Sequence, residues 1–283
     1  MEQKRVAAHT TSGGSARAVE RTLDLLLVFL HGSHEVGISD LSRTLQLPKA
    51  TVHRLVNALT GRGFLSRNPE TARYRVGVNM FRLGSLFLAQ TEVRRAALPV
   101  IQELAQRTGE TVNLNVVSDR RRVCLEKAES THDIRHFVEL GRPLPLYSGA
   151  SGKVLLAFLD PAQINAVIAE GLKPLTPRTI TDAHRLRRNL LKIRRRGYAV
   201  SRDERVIGAA AVSAPIRDHA GGLVAGLTIS GPTFRFIPSR VRQYVAFALE
   251  GAGRISAALG YVTPRTARAV PRRAHLFRAG VSR

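Results

Sequence analysis

The 283-residue sequence is poor in cysteine, in acidic side chains and in long apolar runs. Its single cysteine, Cys124, excludes an internal disulfide framework and fits a reducing, cytoplasmic compartment. No stretch reaches the roughly 18 consecutive apolar residues of a membrane helix. The opening segment MEQKRVAAHTTSGGSAR has no apolar core, so it does not read as a secretory signal, and residues 1–15 are expected to be a flexible arm. No internal repeat is visible.

Acidic residues number 21 against 44 lysines and arginines, a formal charge of +23. That surplus favours a polyanion such as nucleic acid and makes binding salt-dependent. It is spread along the chain: 12 basic and 6 acidic residues in 1–90, 26 and 15 in 91–260, and 6 and none in 261–283. The basic end, TPRTARAVPRRAHLFRAGVSR, carries Pro264 and Pro271 and has no sustained period. It is expected to be a disordered, solvated tail, with an auxiliary phosphate contact as the alternative.

At 31.0 kDa and 44% hydrophobic residues, the chain is long enough for two domains with real cores. From Ala16 to Leu30, Val19, Leu23, Leu26, Leu27 and Leu30 recur at helical spacing. Residues 37–76 then read as two short helices, a tight turn and a basic two-stranded wing. Ser39 is a candidate N-cap of the first helix, where Leu41 and Leu45 make an i, i+4 stripe. Pro48 suits the start of the next, because its missing N–H is one that a helix start leaves unpaired. In that second helix Val52, Leu55, Val56 and Leu59 share one face, leaving Lys49, Ala50, Thr51, His53, Arg54 and Asn57 to the other. Gly61-Arg62-Gly63 is a stop. Residues 64–67 and 73–76 are candidate strands around an Asn68-Pro69 turn. The outline is a winged helix-turn-helix over residues 16–77.

A recognition helix offers its N-terminal residues to base edges, while other cations hold phosphates. Lys49, Ala50, Thr51 and His53 are therefore expected near bases, Arg43, Arg73 and Arg75 near phosphates, and Arg54 in either place. The competing reading is a small helical domain whose cations are merely solvated.

Val78 to Thr91 reads as a linker helix (domain limits 78–93), with Met80, Leu83, Phe87 and Leu88 as an apolar stripe. The stripe packs either on the DNA-binding domain or on a second copy, and the dimer is the favoured reading. Residues 94–260 alternate strands and helices. Thr111–Val117 and Arg122–Lys127 suggest a hairpin over a polar turn. Helices are expected over Ser151–Leu159, Pro161–Gly171 after the cap Asp160, Asp182–Arg196, and Pro238–Leu259. Strands are expected over Tyr198–Ser201, Gly208–Ile216 and Leu223–Ser230. The order implies an α+β domain with a sensor-like sheet.

Enzyme and metal motifs fail on spacing. Gly152-Lys153 lacks the Ser or Thr that a phosphate-binding loop needs after the lysine, and the glycine five positions earlier is replaced by Tyr147. Ser151 lies in Gly-Ala-Ser-Gly, which is not a nucleophile elbow. His31 and His34 have no further ligands at zinc spacing, so no metal or cofactor is expected. Cys124 alternates within a strand and reads as a small buried hydrophobe.

The runs RAVERTLDLLLVF, LSRTLQLPKATVHRLVNAL, GFLSRNPETARYRVGVNMFRLG, GRPLPLYSGASGKVLLAFL, LTPRTIT, IRRRGYAVSRDE, SAPIRD and TISGP occur in that order. Over about residues 16–260 this sequence resembles the IclR family of bacterial transcriptional regulators. The resemblance implies an N-terminal winged helix-turn-helix, a linker helix and a C-terminal GAF-like effector-binding domain. It also implies a dimer or dimer of dimers on palindromic double-stranded operator DNA; the failed motifs and short apolar spans add that neither an enzyme nor a membrane partner is expected. Family members that bind small organic acids suggest an effector site at Gly149, Ala150, Asp203, Ala211, Thr228 and Ser230. Some have cysteine where Ala211 stands, so this wall is roomier and more apolar, and a small carboxylic acid, including an aromatic one, is the expected effector. Small residues at Gly149, Ala150, Thr228 and Ser230 are equally compatible with tight packing and no ligand, and Asp203 with holding Arg202 or Arg205. The alternative function is a non-specific nucleic-acid-binding or partner-docking protein with a vestigial or metabolic C-terminal domain.

Overall fold

The computed structural model describes residues 14–30 and 34–262. Most of the expected N-terminal arm, His31 and nearly all of the basic tail lie outside the described residues. The chain divides into two compact units between Arg95 and Ala96, with Glu139–Arg142 grouped with the first.

The first unit runs α1 (Gly14–Val28), α2 (Ile38–Leu45), α3 (Lys49–Gly61), β1 (Leu65–Arg67), β2 (Tyr74–Val76) and α4 (Val78–Gln90). Leu25, Val36, Leu41, Val52, Val56, Leu59, Leu65 and Tyr74 form its core. Removing each large aliphatic side chain among them from water contributes roughly 1.5–3 kcal/mol. The hairpin pairs Leu65 with Val76 and Arg67 with Tyr74, and Val36 bridges to Tyr74 as a minimal third strand.

That bridge moves the start of α2. The chain leaves Val36 already committed to the wing, Gly37 is the N-cap, and Ser39 sits inside the helix rather than capping it. Gln46 closes α2 in the left-handed region at φ 53°, making the turn of the helix-turn-helix. Pro48 stands just before α3, and its carbonyl accepts from the Thr51 and Val52 amides.

The α3 stop is a Schellman pair. Gly63 N–H donates to Thr60 O and Phe64 N–H to Leu59 O, and the φ of +69° this demands at residue 63 suits glycine. Gly77 N–H then donates to Phe64 O, Asn79 N–H to Gly63 O, and Asn79 Nδ2 to Arg62 O at 2.7 Å. The end of α3 and the start of α4 are thus hydrogen-bonded to each other.

Two helices leave large apolar side chains exposed. In α1 the core residue is Leu25, while Val19, Leu23 and Leu27, and Leu30 just beyond the helix, are each more than half exposed. In α4 no residue is fully buried, and Val78, Phe81, Leu83, Leu86 and Phe87 are exposed, so its stripe does not pack on its own unit.

The second unit includes most of α5 (Glu92–Thr108), then β3 (Thr111–Ser118), β4 (Arg121–Ala128), β5 (Leu144–Pro145), α6 (Gly149–Phe158), α7 (Pro161–Ala169), α8 (Ala183–Arg196), β6 (Ala199–Arg202), β7 (Ala209–Arg217), β8 (Leu223–Pro232) and α9 (Pro238–Ala258). The strands make one antiparallel sheet in the order β5-β4-β3-β8-β7-β6, the GAF-like arrangement. Asp119 and Arg120, both at positive φ, form the two-residue hairpin turn. Asp160 and Asp182 cap α7 and α8 by accepting from Gln163 and Arg185 amides. Alternation along β8 sends Gly226, Thr228 and Ser230 to the α6 face and Leu227 to the α5/α9 face, where Gly251 lets α9 approach Leu104 and Leu227.

Gly77 is the least replaceable glycine of the first unit, since a Cβ there would lie 2.3 Å from Gly63 O. Gly77→Ala is expected to destabilise the DNA-binding unit by at least about 1–3 kcal/mol, the cost of overpacking a close contact. Gly61→Ala, with open space around its Cβ, should be neutral or slightly stabilising. Equal melting temperatures for the two variants by circular dichroism would rule out the close approach.

Candidate functional site

On the first unit, Lys49, Ala50, His53 and Arg54 are exposed on α3 and Thr51 is partly so. Asn57 Nδ2 lies 3.2 Å from His53 Nδ1, joining two residues of the same outer face. Arg43 and Arg73 converge on Asp40, each at 2.9 Å, and Arg73 Nε also donates to Glu35 O. Arg73 therefore braces the wing against α2, whereas Arg75 projects from β2 into solvent. Glu35 accepts from Asn68 Nδ2 at 2.6 Å and Thr71 Oγ1 at 2.8 Å, and these bonds hold its carboxyl below the usual range. The wing tip is tied down while the outer face of α3 stays open.

In the second unit, one cleft encloses about 420 Å³, part of it open to solvent. Its floor is the polar face of the sheet. Asn115 Nδ2 donates to Asn113 Oδ1 (2.6 Å) and Thr228 Oγ1 (3.2 Å), and Ser213 and Thr228 hydroxyls meet at 2.8 Å. Arg122 reaches in from β4 and donates to Asn115 Oδ1 at 2.7 Å. Among the described residues its Nε is buried without an acceptor.

The wall is built from His136 and Arg205. An Arg205 Nη lies 2.9 Å from His136 Nε2, and His136 Nδ1 lies 3.2 Å from Ser230 Oγ. A guanidinium can only donate, so Nε2 is the acceptor and the proton sits on Nδ1. Burial, reinforced by Arg205 and Arg122, pushes His136 down to about 4. Burial, with Arg205 adding to it, lowers Arg122 to about 10. Both effects mark a site that disfavours more positive charge.

The rim is the start of α6, and its first two amides are already taken. Gly149 N–H donates to Glu204 Oε2 at 3.2 Å and Ala150 N–H to Ser201 Oγ at 2.9 Å. The other Glu204 oxygen holds Lys153 Nζ at 2.5 Å, where the lysine is 1% exposed. Burial pushes that ammonium down and Glu204 opposes the shift. Removing one partner of such a buried pair costs about 3–5 kcal/mol. Glu204 is therefore a fixture of the rim.

Of the residues expected around an effector, Gly149, Ala150, Ala211, Thr228 and Ser230 line this one cleft. Asp203 does not. At φ 59° its carboxylate turns back to accept from Gly208 N–H at 2.7 Å and lies 3.9 Å from Arg178. Its neighbours Ser201 and Glu204 line the cleft instead. Asn113, Arg122, His136 and Arg205 were not anticipated. Alternating polar residues in an otherwise apolar β3, Asn113 and Asn115, were the available signal.

An exposed recognition helix in one unit and a polar cleft roofed by a helix N-terminus in the other define a DNA-binding regulator with a sensor domain. Matches to known proteins name the class. The model of the IclR helix-turn-helix domain matches residues 18–69, and that of the bacterial transcriptional regulator IclR C-terminal domain matches residues 86–257. The chain belongs to the IclR family of transcriptional regulators. It is 34% identical over 238 residues to the HTH-type transcriptional regulator KdgR of Escherichia coli, covering 83% of this chain and 90% of that one. The crystal structure of the Thermotoga maritima IclR protein superposes with a TM-score of 0.72 at 33% identity, covering 87% and 100%. An IclR homologue from Microbacterium hydrocarbonoxydans, complexed with 4-hydroxybenzoate, superposes at 0.76 with 27% identity, covering 86% and 98%. The relatives are named as regulators rather than enzymes. This protein is a DNA-binding transcriptional regulator with an IclR-type C-terminal domain. Among the described residues no helix is long and apolar enough to cross a membrane, and no cluster of metal-ligating side chains occurs.

The depressed His136 predicts a pH dependence. Between about pH 6.5 and pH 4 the unfolded chain takes up a proton at this residue and the folded chain does not, so stability falls with acidification. The slope from this one group is up to about 1.4 kcal/mol per pH unit. His136→Gln should flatten the stability profile across that window, read by urea unfolding at several pH values. Parallel profiles for the two proteins would contradict a neutral, buried His136.

Proposed function

We propose that this regulator binds a palindromic operator as a homodimer or a pair of dimers, in the cytoplasm, and changes its operator affinity when a small organic acid enters the cleft of the second unit. The observation that carries the reading is the combination of an open α3 face with a cleft whose buried guanidinium, Arg122, has a donor unsatisfied among the described residues. Lys49, Thr51 and His53 would face base edges, with Ala50 allowing close approach, and Arg43, Arg54 and Arg75 would hold phosphates. Arg73 would act chiefly through the wing it braces.

Two exposed apolar stripes support self-association: Val19, Leu23 and Leu27 on α1, and Leu83 and Phe87 on α4. Single exposed apolars are ordinary, but a stripe at helical spacing suits a partner helix. In the cleft, Ala211 contributes only a methyl to the wall, and Thr228, Ser230 and the Gly149-Ala150 rim surround the ligand. The neighbouring 4-hydroxybenzoate complex makes aromatic acids a sensible first set of trial ligands. A ligand acts here only through its different affinity for the DNA-competent and DNA-incompetent states.

Four substitutions test the reading. Lys49→Ala and Thr51→Ala should each weaken operator binding about 5- to 150-fold while barely changing affinity for unrelated duplex, since a good base contact carries roughly 1–3 kcal/mol of discrimination. Equal losses on all sequences would instead favour a non-specific binder. Phe87→Glu should shift the solution mass toward the monomer and weaken operator binding with it; an unchanged mass by light scattering refutes the α4 interface. Ser230→Tyr should abolish the ligand-induced change in operator affinity and leave ligand-free binding near wild type.

A further inference from the structure

We propose that α8 of the second unit is an auxiliary binding face for duplex DNA, on which Arg185, Arg188 and Lys192 hold backbone phosphates without reading sequence. This role is separate from operator reading by α3, because it concerns sequence-independent contacts made by the other unit.

The helix has the sequence AHRLRRNLLKIRRR, seven cations with no acid. The cations sort into two groups. Arg187 donates to Asn165 Oδ1 at 2.7 Å, Arg194 to Ala157 O and Leu159 O, and Arg196 to Tyr198 O at 2.6 Å while lying over the Tyr198 ring. These three fix α8 to its surroundings. Arg185, Arg188, Lys192 and Arg195 are exposed, and among the described residues their side chains make no hydrogen bond or ion pair. At i, i+3, i+7 and i+10 they fall within an arc of roughly 80°, one stripe along the helix.

Helix stability does not account for that stripe. Like charges three and four residues apart repel each other. The macrodipole favours cations in the last turn, which explains Arg195, but disfavours Arg185 in the first. Asp182 caps the helix by accepting from the Arg185 amide rather than from its guanidinium.

The surroundings add charge of the same sign. Arg185, Arg188 and Lys192 line an open groove together with Arg178 and Arg202. Glu204 is the one acid on that lining, and its carboxylate already serves Lys153 and the Gly149 amide. Arg178 lies 3.9 Å from Asp203, while Arg202 donates to the Thr233 and Phe236 carbonyls, which leave its charge in place. From Arg185 to Lys192 the row runs about 10 Å along the helix axis. A duplex carries one negative charge per roughly 1.7 Å of its axis, so several phosphates come within reach of such a row. An exposed row of cations suits a linear polyanion, and on a chain whose other unit binds DNA, duplex is the polyanion met at high effective concentration.

The test compares two charge-matched double variants of the full-length protein, Arg188→Gln/Lys192→Gln on α8 and Arg240→Gln/Arg242→Gln on α9, outside the groove. Affinity for a long duplex of arbitrary sequence is read by fluorescence anisotropy across a range of salt concentrations. The α8 variant should bind about 10-fold or more weakly at low salt, and its plot of log affinity against log salt should flatten by about 1.8, roughly 0.9 for each lost phosphate contact. Its melting temperature should be no lower than wild type, since only repulsion has been removed. The α9 variant should keep the wild-type slope. Sequence preference, which belongs to α3, should survive in the α8 variant and be lost in Lys49→Ala, so either role can fail without the other.

A wild-type slope in the α8 variant would overturn the proposal, and so would equal flattening in both variants, which would reduce the effect to net charge. Poly-glutamate and tripolyphosphate serve as competing probes. If either raises the melting temperature of the wild type but not of the α8 variant, while the DNA slopes of the two agree, the face belongs to an acidic protein segment or a small polyphosphate and not to DNA.

Discussion

The second unit is organised around one buried ion pair, Lys153 with Glu204. Lysine in the middle of an apolar helix is an unfavourable choice unless an acid meets it. Glu204 does so from the β6–β7 connection, with its second oxygen on the α6 amide of Gly149. The backbone of the same residue is fixed as firmly, since its carbonyl accepts the hydroxyls of Ser148, Thr176 and Thr179. Helix, connection and the Thr176–Thr179 turn are therefore locked at one residue. The cleft keeps its shape because its rim cannot shift without separating that pair.

Much of this fold was readable before any coordinates. The caps Asp160 and Asp182 and the stop at Gly197 fix helices whose ends depend on local hydrogen bonds, and they lie where their residue types suggest. The β3–β4 hairpin follows from alternation around a polar turn. The failures have a common cause, a distant partner overriding a local preference. Ser39 has the right chemistry for a cap, but the Val36–Tyr74 bridge forces α2 to begin earlier. Periodicity in α1 is real, yet it cannot say which of two apolar stripes faces the core, and Leu25 rather than the longer stripe does.

The candidate cleft was legible to a similar degree. Small and hydroxylated residues at 149, 150, 211, 228 and 230 share it because their strands and helix are neighbours in the sheet layer. Asp203 and Glu204 are adjacent in sequence, and only the positive φ at Asp203 decides that the second of them faces inward. Arg122 would be placed outward by any burial preference for arginine. Its register opposite Val117 on β3, two residues before Cys124, puts it on the inner face instead. Segment 129–138, which carries His136, has no period to read. It is positioned by long-range bonds, with Arg235 donating to Ile134 O and Thr111 to His136 O.

The contact between Gly63 and Gly77 has a mechanical consequence. The last turn of α3 and the first of α4 are joined by three direct hydrogen bonds around two glycine backbones, with no slack segment between them. A twist applied along α4 is therefore delivered to α3 as torque rather than absorbed in a hinge. In a pair of such chains, a small rotation of the α4 helices would change the spacing between the two α3 helices by leverage, the distance from axis to tip multiplying the angle. Were two such chains to pair, that spacing, rather than the shape of either head, would be what such a rotation changes.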